Sequence, residues 1–131
     1  MKFFLKPGHT ILILQKLNNP DTRIWTEHEN VTMALEAIIV MFEKWLVEMN
    51  PILDFINYQV GDLIGFISQC KEFTILAFDP TLNAYVPQDK SWIQERVVSH
   101  LRKKLEFNKI NSCHVEGGEE GGEIINKKRG R

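Results

Sequence analysis

From residue 9 the apolar and polar positions fall into periodic runs separated by turn formers. In "HTILILQ" (9–15) the strand period of two sends His9, Ile11 and Ile13 one way and Thr10, Leu12 and Leu14 the other, and neither set is polar. "LNNPDT" (17–22) is dense in turn residues, and "RIWTE" (23–27) places Ile24 and Trp25 at strand spacing, so a hairpin with a long loop is predicted. Asn30 is a fitting N-cap for "VTMALEAIIVMFEKWLVEM", in which Val31, Leu35, Ile38, Phe42, Trp45 and Met49 share one helical stripe and Asn50-Pro51 stops the run. Ile39, Val40 and Met41 widen that stripe, which predicts a helix covered on more than one side.

"PILDFINY" (51–58) breaks the periodicity, and Val60, Leu63, Ile64 and Ile67 then suggest a second helix, weakened by Gly61 and Gly65 at roughly 1 kcal/mol each relative to alanine. "FTILAF" (73–78), the turn "DPTLN" and "AYVPQ" (84–88) read as a second hairpin, with Pro87 suited to a strand end or an edge. Ser91 and Gln94 form a capping box for a third helix, defined by Ile93, Val97, Val98, Leu101 and Leu105 and ending in Arg102, Lys103 and Lys104. Beyond about residue 107 the pattern fails. "EGGEEGGE" (116–123) lacks the apolar surface to offset ordering entropy, and a tail without regular structure is expected over 107–131.

The predicted order is β-β-α-α-β-β-α: an α+β fold with a four-stranded antiparallel sheet and three helices on one face. The domain spans 9–106, between a short extension at 1–8 and the tail. Three helices cover one side of four strands and leave the other bare, yet "HTILILQ" is apolar on both. The expected cover for its free face is a second copy in a two-fold dimer.

Length and composition agree with one domain: 131 residues, 44% apolar, suffice for one modest core. The two cysteines, Cys70 and Cys113, imply no disulfide framework, and "MKFFLKPG" has too few apolar residues for a signal peptide. With no apolar run long enough to cross a bilayer either, a soluble intracellular protein is expected. Residues 9–106 carry nine basic against thirteen acidic groups, an acidic balance that argues against a phosphate backbone as main partner.

Candidate chemistry is sparse. His9, His28, His100 and His114 have no metal partner at a recognised spacing, and Cys113-His114 beside Glu116 lies in a Gly-rich stretch without the preorganisation zinc requires. No nucleophile elbow, phosphate loop or dinucleotide fingerprint occurs. Glu36 and Glu43, seven apart, read as the solvated stripe of the first helix, and "GDLIG" as a close helix contact. Trp25, Trp45 and Trp92 lack interleaved cations and suit core or protein-interface anchoring better than base stacking. The terminal "KKRGR" is a possible nuclear-import or RNA-touching patch. No catalytic residue, metal site or cofactor is expected.

"HTILILQ", "ENVTMALEAIIVMFEKWLVEMNP", "INYQVGDLIGFI" and "FTILAFDPTLNAYVPQDKSWI", in this order and spacing, resemble the enhancer of rudimentary homolog family over residues 9 to about 105. "TRIWTEH" and "AYVPQDKSW" look closer to its fungal members. The resemblance implies a non-enzymatic nuclear scaffold, with the cytoplasm as a second location, that dimerises through its sheet at His9, Ile11 and Ile13. It further implies partners among RNA-processing and gene-silencing proteins whose short segments enter grooves of the dimer, RNA being contacted mostly indirectly and membranes not at all. The apolar breadth of the first helix, with Tyr85 and Trp92 near the end of the sheet, suggests where such a groove lies, and Trp25, Tyr85, Pro87 and Trp92 are its candidate residues. His28 and Asn30 replace a Tyr and a Ser of animal members, so the phosphoacceptor role proposed for that Ser does not apply. Direct RNA binding through the tail and tryptophans is the alternative; a role in pyrimidine metabolism is more distant.

Overall fold

In the computed structural model, which describes residues 9–112 and 124–128, the elements are β1 (Thr10–Gln15), β2 (Arg23–His28), α1 (Val31–Met49), β3 (Phe55–Gln59), α2 (Val60–Gln69), β4 (Glu72–Asp79), β5 (Ala84–Gln88), α3 (Lys90–Ser112) and β6 (Ile124–Lys128). A four-stranded sheet of order β2-β1-β4-β5 is antiparallel throughout. Its helix-facing side carries Leu12 and Leu14 of β1 with Phe73 and Ile75 of β4. These join Leu35, Ile38, Ile39 and Phe42 of α1, Leu63, Phe66 and Ile67 of α2, and Ile93, Val97 and Leu101 of α3 in one core. α1 lies over β1 and β2, α3 over β4, and α2 against both helices. The α+β class, the four-stranded sheet and the three helices therefore follow the periodicity.

Local signals explain the boundaries. Asn30 caps α1, its side chain accepting from the Met33 N–H at 2.9 Å, and Asn50 closes the helix by donating to Leu46 O at 2.9 Å. α3 is capped two residues earlier than the capping-box reading: Asp89 accepts from the Trp92 N–H at 3.0 Å. Gln94 instead reaches across to α2, donating to Ile64 O and Ser68 Oγ at 3.0 and 2.8 Å. A carboxylate is at least as good an N-cap as a serine and is favoured by the dipole.

Three further expectations are corrected. "FINYQ" is a strand, with Ile56 and Tyr58 buried and their neighbours exposed. Its partner comes from the stretch expected to lack structure: α3 continues to Ser112, and β6 pairs antiparallel with β3, seating Ile125 opposite Tyr58 at 3% exposure. Residues 113–123 and 129–131, with Cys113, His114, Glu116 and the end of the basic cluster, lie outside the described residues, as do residues 1–8. Nor do the glycines of "GDLIG" mediate close packing. A Cβ built at Gly61 or Gly65 meets nothing within 4 Å.

Candidate interaction face

The period of two that puts Leu12 and Leu14 in the core turns Ile11, Ile13 and Gln15 to the opposite side of the sheet, where no helix lies among the described residues, although Ile11 and Gln15 are each only 7% exposed. Cross-strand register orders this face into rows. Arg23, Gln15 and Glu72 form one row; Trp25, Ile13 and Thr74 the next; then Glu27, Ile11, Leu76 and Pro87; Phe78 and Tyr85 follow. The middle is apolar. Phe78 and Tyr85 meet edge to face with centroids 5.3 Å apart, and Trp25 is 44% exposed.

Charges close the two ends of this strip. Arg23 of β2 forms an ion pair with Glu72 of β4 across the intervening Gln15 of β1, which is buried and donates to Leu17 O at 2.7 Å. His9 Nδ1 lies 2.5 Å from the Glu27 carboxylate at the other end. An apolar centre with a polar rim is the anatomy of a protein–protein interface.

Of the residues singled out from sequence, Ile11 and Ile13 sit centrally on this face and His9 at its rim. Trp25, Tyr85 and Pro87 share the face, but β2 and β5 are its two edge strands, so Trp25 stands three strands, roughly 14 Å, from the other two. Trp92 belongs to the helical layer, half-buried against the core with the Arg96 guanidinium 4.6 Å above its ring. Within one chain the four suggested groove residues thus do not line one groove. Leu76 and Phe78 were missed, although alternation along "FTILAFD" places them opposite Phe73, Ile75 and Ala77.

Titratable groups do not converge. Glu36 of α1 accepts from His100 and Lys104 of α3 at 2.6 and 3.2 Å. Partial burial pushes its carboxyl up, but these two hydrogen bonds and the charges behind them hold it below its ordinary value. The Tyr58 hydroxyl donates to Glu43, and burial followed by that carboxylate drives its pKa far upward. Burial raises the Cys70 thiol and lowers His28. Glu36 ties α1 to α3 and Tyr58 ties β3 to α1, at separate places. Among the described residues no three His, Cys, Asp or Glu side chains cluster as metal ligands, and no helix is long and apolar enough to cross a membrane. An open groove of about 760 Å³ runs between α2 and α3, with Val60, Ile64 and Val98 in its floor and Arg102 and Lys103 on its rim.

The family model described as Enhancer of rudimentary matches residues 6–107, which takes in the four-stranded sheet and most of all three helices. The chain belongs to the enhancer of rudimentary family. Among its relatives, Enhancer of rudimentary homolog of Caenorhabditis elegans is 35% identical over 107 residues, 82% of this chain and 99% of the relative. The Echinococcus multilocularis homolog is 34% identical over 98 residues, 74% of this chain and 96% of its own. Enhancer of rudimentary homolog 1 of Schizosaccharomyces pombe is 25% identical over 94 residues, 72% and 86% of the respective chains. The enhancer of rudimentary match ends at residue 107, before β6.

Proposed function

We propose that this enhancer of rudimentary protein is a non-enzymatic homodimeric adaptor of the nucleus, which joins through its bare sheet face and offers surfaces to short segments of RNA-processing or RNA-elimination proteins. The observation that carries the reading is the apolar strip Trp25–Ile13–Ile11–Leu76–Phe78–Tyr85 on a sheet whose other face already holds the core. A two-fold operator places β1 against its copy, so that Ile11 and Ile13 of each protomer face their counterparts and the charged ends remain wet. Family membership supports a binding role, and the acidic balance of residues 9–106 favours protein over nucleic acid as the direct partner.

The test is the mass in solution. The wild-type chain is expected at twice 15.3 kDa by light scattering. Ile11→Arg with Ile13→Arg is expected to run as a monomer or aggregate, because charges buried against their own copies cost several kcal/mol with nothing to neutralise them. A double variant that stays a stable dimer overturns the reading. Partners captured from nuclear extract should survive nuclease digestion and vary little between about 50 and 200 mM salt, whereas direct RNA binding would weaken by orders of magnitude over that range.

A further inference from the structure

We infer that the β3 edge is a strand-addition site, and that the chain's own β6 occupies it as a displaceable internal ligand. β3 and β6 form a separate two-stranded sheet that shares no strand with the four-stranded one. Pairing runs from Phe55 with Lys128 to Gln59 with Ile124, and the buried positions of β3, Ile56 and Tyr58, oppose Lys127 and Ile125. Ile125 of β6 joins the core; its seat is beside Tyr58, itself edge-on to Phe42 at 4.9 Å.

Three observations distinguish an occupant from a founding strand. The family match ends at residue 107, so relatives covered almost end to end by 98 to 107 matched residues have no room for the domain and a counterpart of β6 together. Residues 113–123, which join α3 to β6, hold four glycines and four glutamates and one aliphatic side chain. A two-stranded ribbon is only marginally stable by itself, so β6 relies on backbone pairing and on the Ile125 anchor, the affinity pattern of an added peptide strand. The apolar surface beside the strand extends further. Leu53 and Phe55 are about half exposed and Ile52 is 90% exposed. The ligand class that competes with β6 is therefore an extended protein segment with a branched aliphatic residue facing Tyr58 and apolar residues beyond it. An intramolecular strand raises the concentration such a segment needs, by occupying the binding-competent edge. This site stands apart from the sheet-face dimer and does not depend on it.

The probe is a labelled synthetic peptide with the sequence of residues 121–131, titrated by fluorescence anisotropy into full-length chains. Ile125→Asp, which removes the internal anchor, is expected to bind the peptide at least tenfold more tightly than wild type, and Ile125→Ala a few-fold more tightly. The same peptide carrying aspartate at the Ile125 position, with all four basic residues retained, is expected not to bind. Hydrogen exchange at the β3 amides should accelerate in Ile125→Asp and slow again when the peptide is added. Equal affinity for wild type and both variants overturns the proposal, as does binding of the aspartate peptide, which would mark simple charge attraction. Loss of the circular-dichroism fold in both variants also overturns it, because β6 would then be a founding strand.

Discussion

At the scale of single residues, Gly65 sits in mid-α2 with open space where a Cβ would stand. Gly65→Ala is expected to stabilise by about 0.5–1 kcal/mol, mainly by restricting the unfolded chain, and to raise the thermal midpoint by about 2–4 °C. Calorimetry checks this, and a lower midpoint would mean α2 docks closely on something. Phe42 is the opposite case, fully buried among Trp45, Tyr58 and Phe66. Phe42→Ala should cost about 3–5 kcal/mol in urea denaturation, a large fraction of what a domain of this size has to lose. Phe42 was legible from the helical period alone; the openness around Gly65 was not, because a glycine pair four apart looks the same whether a neighbour approaches it or not.

Among the elements, α1 and α3 are joined by Glu36 with His100 and Lys104, a contact between residues 64 and 68 apart in sequence that no local pattern reveals. Since the folded carboxyl of Glu36 is held below its ordinary value, its contribution is present above the normal carboxylate range and lost as pH falls through the lowered value. Partial exposure screens it to about 1 kcal/mol or less. Glu36→Gln is thus expected to lower the thermal midpoint slightly at pH 7, and the gap from wild type should close on acidification towards pH 3. A gap that stays constant down to that pH would indicate a packing effect of the side chain rather than its charge. Periodicity predicted four strands and three helices because each repeats its apolar face often enough to be read. β3 escaped because five residues allow two inward positions, Ile56 and Tyr58, and β6 because Ile125 follows a glycine- and glutamate-rich run that reads as unstructured. The start of α3 shifted for a different reason: Asp89 and Ser91 are both good caps, and only the hydrogen bond to Trp92 chooses between them.

For the whole molecule, the sheet face away from the helices was legible in outline from one strand, since "HTILILQ" is apolar on both sides. Its width was not, because the rows depend on the register that brings Leu76 beside Ile11 and Tyr85 beside Phe78. That register also leaves β2 and β5 as the outer strands. An outer strand is a template on which further copies can polymerise without limit, and at β5 the chain carries Pro87, which has no N–H to offer an incoming strand. A face-to-face association consumes its own surface and stops; an edge-to-edge one regenerates its surface with every addition. Pro87→Thr, restoring a donor and a β-branched side chain, is expected to turn concentrated solutions thioflavin-positive on prolonged incubation while the wild type stays clear. On that view Pro87 acts as a terminator of chain growth.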